Sequence, residues 1–596
     1  MLSVVPPSQS LASKILLDEG VAHHERGDFY RAEQCYRRAL RRDPQHPLAL
    51  GLMGALAQQR GHNTLALELL DRSIAGDADE AMHHHNRGTT LYALGRFDDA
   101  IEAYLTATDV HPGYALAYHS LYAAYLELAR HSEAVYAIKL AAKYSPGDTV
   151  KAANLHTSLI FALDSSADTT ADEIVDARRE FNDRFCEPYY AEWPDHPNDP
   201  SPDRVLRVGY VGADFYHHSA STGFGLALLN HDKSQYHVTI YSATEKPDAL
   251  TARFKRSADV WHDMRAWPDE QLHAQIIADK IDVLVDLSAF THGGRLFVFA
   301  RKPAPVQVTA WGYATGTGMA AMDALLSDAI VCPPEHDWQV SERVMRLSSV
   351  IGMTMTDDDP IRDIDTGSVR VALGRRPTFG VFNRQTKLNA AFFDTMADIL
   401  KRVPDSRVLI KNGRLQSPAL QAYTWKLFAE RGIEERQVGL IGVTSRAEHM
   451  RWHNVVDVML DPFPQCGGVS ALESLWMGVP YVGMLGDRAT TRISASLLHQ
   501  VGLDDWIVSD REAYVERAVA GMADKKTLIR LRESLRPTML DLPLTNGPAY
   551  AREVEDAYRA LWTDWCATRR SVDGDGSSRH AGDAEEVGTT LGENPS

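Results

Sequence analysis

The sequence predicts an array of α-helical repeats followed by two α/β lobes, each a parallel sheet covered by helices. Three observations predict this order. Small residues and prolines recur at a fixed interval through roughly the first quarter of the 596 residues. Short apolar segments alternating with amphipathic segments fill most of the remainder, a pattern typical of a parallel sheet with helices on both faces. A polar stretch divides that remainder into two similar series.

The N-terminal array holds four copies of a helix pair between about residues 13 and 146, at an interval of 34 residues. This interval is that of the tetratricopeptide repeat. In the fourth copy Tyr122 and Ala129 replace glycines, as expected where an array meets a different surface. The columns in register are Gly20, Gly54 and Gly88; Gly27, Gly61 and Gly95; Ala32, Ala66, Ala100 and Ala134; Tyr36, Leu70, Tyr104 and Ile138; and Pro44, Ala78, Pro112 and Pro146.

Each column has a role in helix packing. The small residue at Gly20 lets the two helices of a pair approach closely, and Ala32 is a close-packing position on the second helix. Gly27 suits the turn between the helices, where a positive φ costs little only for glycine. Pro44 ends the second helix. Such arrays bind polypeptides and rarely carry catalysis, so we expect the chemistry in the rest of the chain.

Composition narrows the class of function. The net charge is −18, which argues against a nucleic-acid binder because that function needs a basic surface. An anionic small ligand stays compatible, since one pocket can be positive on an acidic protein. The five cysteines are scattered without a CxxC pair, which predicts neither a zinc site nor a disulfide framework. No segment resembles a signal peptide or approaches the ~18 apolar residues of a membrane span, so we predict a cytoplasmic protein.

The first lobe is predicted over residues 204–356, after an N-terminal extension (1–12), the repeats (13–150) and a helical connector (151–203) that ends in a proline-rich stretch. A helix is predicted over Pro268–Lys280. The predicted strands are Leu206–Val211, Val238–Tyr241, Ile281–Leu287 and Val306–Trp311.

The second lobe is predicted over residues 377–570, after a polar interlobe linker (357–376). Residues 571–596 are rich in Gly, Ser and Asp and are predicted to be a disordered tail. Two doubly wound lobes in one chain bind a ligand in the cleft between them, at the carboxyl ends of the strands. The predicted strands are Thr378–Phe382, Arg407–Ile410, Gly439–Gly442, Val456–Leu460 and Tyr481–Met484.

The most informative motif is DPFPQCGGVSALESLWMGVP at residues 461–480. A strand leads into a glycine-containing loop, and a helix begins near Gly468. The free N–H groups at such a helix start suit a phosphate. Glu473 lies about one turn into the helix, where its carboxylate can reach a ribose diol. A plain strand–helix turn with a surface acid is the alternative, and the combination with Gly478–Pro480 favours the nucleotide site.

This motif resembles the donor-nucleotide site of GT-B-fold glycosyltransferases. Together with the repeats and four further segments, it resembles the bacterial branch of the O-linked N-acetylglucosamine transferase family, glycosyltransferase family 41. The resemblance covers essentially residues 13 to 565, and the long insert between the lobes of animal members is replaced by a short acidic linker. The further segments are Arg207–His218, Arg301–Gln307, Gly312–Gly318 and Phe382–Lys387.

The resemblance implies an inverting transfer of N-acetylglucosamine from UDP-GlcNAc to Ser or Thr of polypeptide acceptors that the repeats guide. It implies no metal and no other cofactor, because the UDP-sugar is a substrate. We expect neither nucleic acid nor a membrane among the partners. Two alternatives stay open: a UDP-glucose-dependent transfer to asparagine, and a non-catalytic adaptor whose lobes keep a relic of a nucleotide site.

Two residues match catalytic positions of the family. His218 matches the active-site histidine, whose role is either general base or positioning of acceptor or sugar. Lys387 matches the lysine that contacts the diphosphate. Charge builds on the β-phosphate as the glycosidic bond breaks, so a fixed ammonium there favours the transition state. Arg384 stands at a glutamine position of the family, and its guanidinium also suits phosphate.

The nucleoside-binding residues carry over from two segments. Thr444, Ser445 and Arg446 match the segment that holds uracil, and His449, one turn later, would pack beside the base or the ribose. The second segment is Gly468, Val469 and Ser470, where animal members have His-Thr-Thr. Only Ser470 keeps a hydroxyl, so backbone donors would do most of the binding, and Glu473 replaces an aspartate with the same acceptor role.

Thr291, His292 and Gly293 end another strand of the first lobe. Their position facing the predicted cleft favours contact with the sugar or the acceptor, and a loop that serves only as a turn is an equal alternative. The acidic run Asp357–Asp359 contains a DxD pattern, which binds a metal in a different transferase fold. Its interlobe position favours a solvated charge run.

The repeats contain two further patterns. His83–His85 lie on one helix, where neighbouring side chains diverge, so they are not expected to converge on a metal. Asn86 occupies the position of the asparagine ladder of animal members. Asp18, Leu52 and Ser120 hold that position in the other repeats, so a ladder that captures an acceptor backbone is not predicted.

Overall fold

A computed structural model describes residues 7–145, 147, 149–313, 315–355, 359, 361–366 and 376–577. The chain divides into two compact units. The first comprises Met1–Phe185, Ala329–Val340 and Met355–Leu542, and it contains the repeats, the connector and one sheet. The second comprises Cys186–Asp328, Ser341–Thr354 and Pro543–Ser596, and it contains the other sheet.

The repeats are pairs of antiparallel helices, in the register that the sequence predicts. The turns at Gly27, Gly61 and Gly95 have φ of 74°, 79° and 75°, and Ala129 keeps a positive φ of 56° in the fourth copy. The connector adds α9 (Val150–Ser165) and α10 (Ala171–Phe181). The repeat helices are α1 (Pro7–Glu25), α2 (Phe29–Arg42), α3 (Pro47–Gln59), α4 (Asn63–Gly76), α5 (Ala81–Ala93), α6 (Phe97–Val110), α7 (Ala115–Glu127) and α8 (His131–Lys143).

One close contact repeats along the array and explains two of its columns. A Cβ added to Gly20 would lie 2.5 Å from Cε1 of Tyr36, so only glycine lets the second helix place its large side chain there. Pro146, the last member of the proline column, lies outside the described residues. The same contact recurs between Gly54 and Leu70 at 2.7 Å and between Gly88 and Tyr104 at 2.5 Å.

The second unit holds a parallel sheet of order β3-β2-β1-β4-β5-β6-β7. Its helices are α11 (Ser219–Leu228), α12 (Ala249–Ser257), α13 (Asp269–Ala278) and α14 (Leu296–Ala300). The strands are β1 (Leu206–Gly212), β2 (Tyr236–Ser242), β3 (Val260–Asp263), β4 (Val283–Asp286), β5 (Val306–Thr309), β6 (Ala324–Asp328) and β7 (Arg343–Leu347).

The first unit holds a second parallel sheet, of order β10-β9-β8-β11-β12-β13. Its strands are β8 (Thr378–Val381), β9 (Arg407–Lys411), β10 (Val438–Ile441), β11 (Val458–Leu460), β12 (Tyr481–Met484) and β13 (Ile507–Val508). Its helices are α15 (Ala390–Arg402), α16 (Pro418–Ala429), α17 (Arg446–Trp452), α18 (Val469–Trp476), α19 (Ile493–Gln500), α20 (Arg511–Ala523) and α21 (Lys525–Leu540).

The strand predictions located most of the central strands and missed most of the edge strands. All nine predicted strands overlap observed ones, but β3, β6, β7 and β13 were missed. Three of these are sheet edges with partly exposed residues. The strands β3 and β7 mix polar with apolar side chains and so lack a continuous apolar run, and β13 is only two residues long. β6 is short and fully buried, and its run is too brief to distinguish from a loop.

The C-terminal helix corrects two predicted boundaries. Helix α22 (Gly547–Ser577) belongs to the second unit, where Tyr558 contacts Tyr210 of β1 with 3.3 Å between their hydroxyls. Sequence adjacency had assigned residues 547–570 to the second lobe. The helix also continues past the predicted start of the tail, and residues 578–596 lie outside the described ranges, as do Asp357 and Asp358 of the acidic run. Within those ranges no helix is long and apolar enough to cross a membrane.

Candidate active site

Each sheet reverses its strand order once, and the predicted site residues gather at these two points. In the second sheet the chain builds outward from β8 through β9 to β10 and then returns to the other side of β8 as β11. The loops after β8 and β11 therefore lie side by side at the carboxyl edge, where open α/β sheets bind ligands. The first sheet reverses in the same way between β1 and β4.

Lys387 lies in a short 3-10 turn, Gln385–Lys387, directly after β8. Its Nζ donates a hydrogen bond of 2.5 Å to the C=O of Cys466, in the loop after β11. Burial lowers the pKa of the Lys387 ammonium, and the neighbouring Asp461 carboxyl opposes that shift. With one donor used, two N–H donors are left for an anionic oxygen.

Asp461 and Gly467 fix the loop that leads into helix α18. The buried Asp461 carboxylate accepts the N–H of Gly467 at both oxygens, at 2.9 and 3.0 Å. A Cβ at Gly467 would lie 2.5 Å from Oδ1 of Asp461 and 2.7 Å from Oγ of Ser470, so the position requires glycine. Burial raises the pKa of Asp461 to about 6.

Helix α18 begins beside the Lys387 turn. Gly468 is its N-cap residue and supplies no capping side chain. Ser470, in the first turn, accepts a hydrogen bond of 2.9 Å from Asn383, which follows β8. The N–H groups of Val469 and Ser470 have no acceptor within the helix, and a helix start of this kind binds phosphate oxygens.

Glu473 joins α18 to α17. Its buried carboxylate contacts Nη1 of Arg446 at 3.0 Å and Nε2 of His449 at 3.2 Å. Burial alone would raise the pKa of Glu473, but His449 and Arg446 outweigh it and lower that pKa to about 2. The structure thus brings these three predicted residues together, and Glu473 is a buried anion in place of the surface acid considered as its alternative.

The remaining predicted residues of this sheet lie around the same edge. Ser445 caps α17, and its hydroxyl contacts Glu448 in a capping box. Thr444 precedes it and is half-buried, with its hydroxyl 3.3 Å from the C=O of Ser445. Arg384 is exposed, and its positive charge also lowers the pKa of the Lys387 ammonium.

Lys411 is a cation of this edge that the sequence interpretation missed. It is the last residue of β9, and only 6% of it is exposed. Burial lowers its pKa, and the Glu473 and Glu448 carboxylates oppose that shift. Among the residues that the structure describes, its ammonium has no hydrogen-bond or ion-pair partner. The sequence feature that could have identified Lys411 is a charged residue at the end of an apolar strand. The predicted strand stopped one residue short, at Ile410.

His218 follows β1 in the first sheet and caps α11. Its Nδ1 lies 3.3 Å from the N–H of Ala220 and 3.4 Å from Oδ1 of Asp214, and its ring stacks on Tyr216. Accepting from Ala220 requires a lone pair on Nδ1, whereas pairing with Asp214 requires a proton there. A neutral ring has a lone pair on Nε2 only when its proton is on Nδ1, the arrangement that pairs with Asp214. A general-base role for His218 therefore depends on Asp214.

The neighbouring histidine has a different partner. His217 contacts Asp248 through both its backbone N–H, at 2.8 Å, and its Nδ1, at 2.7 Å. Asp248 is in turn the N-cap of α12. His217 is therefore tied to the fold of the loop, as expected if only one of the two histidines serves the site.

The Thr291–Gly293 turn follows β4 and lies beside the loop after β1. Gly293 has φ of 82°, and a Cβ there would lie 2.5 Å from Cβ of Ala213. Thr291 donates to the C=O of Ser288 at 2.6 Å, and His292 is exposed. The structure thus places this turn next to the loop that carries His218.

The three consecutive histidines of the third repeat have separate surroundings. His83 is buried, His84 contacts the C=O of Ala78 at 2.8 Å, and His85 contacts Ser120 at 3.0 Å. Burial lowers the pKa of His85 to about 4. Among the described residues no group of three or more His, Cys, Asp or Glu side chains is arranged to hold a metal ion.

Two protein-family models match the chain. A model of glycosyl transferase family 41 matches residues 188–355 and 377–554. A tetratricopeptide repeat model matches residues 17–81 and 85–149.

Similar proteins include two plant proteins named "Probable UDP-N-acetylglucosamine--peptide N-acetylglucosaminyltransferase SPINDLY". The one from Solanum lycopersicum is 31% identical over 425 residues, which cover 69% of this chain and 44% of that protein. The one from Arabidopsis thaliana is 32% identical over 407 residues, covering 66% and 43%. The chain therefore spans less than half the length of these relatives.

A solved structure is similar over nearly the whole chain. It is a mutant of the Thermobaculum terrenum O-GlcNAc transferase, 31% identical, with a TM-score of 0.72. The similarity covers 95% of this chain and 100% of that one. The chain belongs to glycosyltransferase family 41.

Proposed function

We propose that the protein transfers N-acetylglucosamine from UDP-GlcNAc to serine and threonine hydroxyls of polypeptide acceptors. The observation that carries this proposal is the Lys387 ammonium, which is held against the loop at the start of α18 by the C=O of Cys466. The names of the plant relatives and of the solved structure support the choice of sugar.

The proposed reaction is a single displacement with inversion at the anomeric carbon. The acceptor oxygen attacks that carbon while its bond to the β-phosphate oxygen breaks, and UDP leaves with the bonding electrons. The hydroxyl proton passes to a base, for which His218 in its Asp214-paired tautomer is the candidate. Negative charge grows on the leaving phosphate, so a preorganised ammonium and helix N–H groups stabilise the transition state more than the substrate.

The same charges account for a proposed independence from metal ions. Lys387, Arg384 and the start of α18 together supply the positive potential that a divalent cation supplies to a diphosphate in other enzymes. We therefore expect that a chelator leaves transfer unchanged.

The nucleoside is assigned to the part of the carboxyl edge of the second sheet where α17 begins. Thr444, Ser445 and Arg446 would contact the uracil, and His449 would lie beside the base or the ribose. Glu473 is anionic through the whole neutral range, because its contacts with His449 and Arg446 lower its pKa to about 2. A carboxylate accepts hydrogen bonds from both hydroxyls of a ribose, which suits its proposed role.

Polypeptide acceptors are assigned to the repeats, but without an asparagine ladder. Of the ladder positions Asp18, Leu52, Asn86 and Ser120, one has an asparagine, and Ser120 contacts His85 within the array. We expect the repeats to bind the side chains of an acceptor and not to bind its backbone at regular intervals.

Calorimetric titration with UDP tests the donor site in the full chain. The Lys387→Met variant loses the ammonium, and the matched control is Lys401→Met, an exposed lysine on α15 whose nearest carboxylate oxygen is 4.0 Å away. We expect Lys387→Met to weaken UDP binding about tenfold or more, as for a charged hydrogen bond, and Lys401→Met to bind as wild type does. A wild-type chain without saturable UDP binding would refute the proposal. UDP-GlcNAc and UDP-glucose, titrated in parallel, identify the preferred donor.

A further inference from the structure

The fourth repeat contacts the turn that carries Lys387. His131, the first residue of α8, places its Nε2 2.8 Å from the C=O of Thr386, the middle residue of the turn. The ring nitrogen Nδ1 is buried and finds no partner among the described residues. The proton of a neutral ring therefore sits on Nε2, and His131 donates to the turn.

A second polar path runs from the repeats to the same turn. Glu127, the last residue of α7, accepts from Tyr92 at 3.1 Å and pairs with Arg414 at 2.7 Å. Arg414 follows β9, where its N–H donates to the side chain of Asn412 at 3.1 Å. Asn412 then donates to Oε1 of Gln385, the first residue of the turn, at 3.2 Å.

The connector is linked through Thr490 to Cys466, the residue that accepts from Lys387. The C=O that accepts from Lys387 belongs to Cys466, and the N–H of Cys466 donates to the C=O of Thr490 at 3.2 Å. The Thr490 hydroxyl donates to the C=O of Asp164, at the end of α9, at 3.2 Å. Beside it Arg488, which is buried, donates to the C=O of Thr169 at 2.6 Å.

We infer that the last repeat and the connector form part of the donor site, and that His131 is a positioning residue for Lys387. The inference rests on the proposed function, because it takes Lys387 as the contact to the donor diphosphate. A turn of three residues makes few backbone hydrogen bonds of its own. Bonds from His131 and Asn412 restrict its movement, and so hold the ammonium where the phosphate arrives.

Three single substitutions in the full chain test this inference. His131→Phe removes the donor to Thr386, and His131→Gln retains an N–H donor at the end of a side chain of similar reach. Tyr423→Phe is the matched control, because it deletes a 3.1 Å bond from α16 to the C=O of Leu128 in the same repeat without contacting the turn. The readouts are the Kd for UDP, the melting temperature and hydrogen exchange of residues 384–389.

We expect His131→Phe to raise the Kd for UDP about three- to tenfold, the effect of one hydrogen bond, and to speed exchange in residues 384–389. His131→Gln and Tyr423→Phe should bind UDP as wild type does. Wild-type affinity in His131→Phe, or an equal loss in Tyr423→Phe that follows the melting temperature, would overturn the inference. These outcomes leave the proposed function standing, because none of them concerns UDP binding or turnover by the wild-type chain.

Discussion

At the scale of single residues, the chemistry of the site is set by immediate neighbours more than by residue type. Two buried carboxylates that lie twelve positions apart differ for this reason. Burial raises the pKa of Asp461 to about 6, whereas His449 and Arg446 lower that of Glu473 to about 2. The sequence shows both acids but not their partners, because α17 and α18 meet only in the folded chain.

The Glu473 pairing predicts a pH-dependent stability. Because the folded pKa lies below the ordinary value of 4.5, the stabilisation is complete above that value and is lost as pH falls toward 2. We expect Glu473→Gln to lower the free energy of unfolding at pH 7 by about 2 kcal/mol, measured by urea denaturation. The difference from wild type should shrink between pH 4.5 and 3, and a difference that stays constant over this range would contradict the assignment.

Gly467 gives a second prediction at this scale. Gly467→Ala forces a Cβ to within 2.5 Å of Asp461, so the loop must shift by enough to cost about 1–3 kcal/mol. We expect the Kd for UDP to rise at least tenfold. In the control Gly413→Ala the new Cβ meets only Val443, at 3.7 Å, and binding should stay within twofold of wild type. Equal affinities for both variants would remove Gly467 from the site.

At the scale of secondary-structure elements, the sequence predicts those helices and strands that are determined by residues close together in the chain. The Gly20–Tyr36 contact recurs in the first three repeats, so its columns appear as a period. The central strands appear as apolar runs, and the carboxyl-edge rule then places the loops after β8 and β11. The edge strand β3 was missed because its exposed polar residues break the run, and Lys411 was missed because strand ends are poorly located from sequence.

The turns of the repeats give a prediction that belongs to this scale. Gly61 has φ of 79°, and no atom lies within 4 Å of an added Cβ, so Gly61→Ala costs backbone energy alone. We expect a loss of about 1–2 kcal/mol and a lower melting temperature, with UDP affinity unchanged. An unchanged melting temperature would show that this turn can relax.

At the scale of the whole molecule, the repeats and the second sheet share one compact unit. His131 and Thr386 are 255 positions apart, and no period or motif links them, so this contact was invisible in the sequence. The same holds for α22, which sequence order assigns to one lobe and packing assigns to the other unit. Contacts between residues far apart in the chain depend on how the folded elements pack together, and no local pattern in a single sequence predicts them.

Product analysis distinguishes the proposed transfer from nucleotide binding alone. UDP-GlcNAc is incubated with a library of Ser/Thr peptides and a chelator, and UDP release and the anomeric configuration of the product are followed by NMR. We predict that wild type and Lys401→Met form UDP and a β-linked product. Lys387→Met should be slower by about 100-fold or more. Equal rates for Lys387→Met and wild type, or the absence of any UDP-sugar turnover by wild type, would contradict the account.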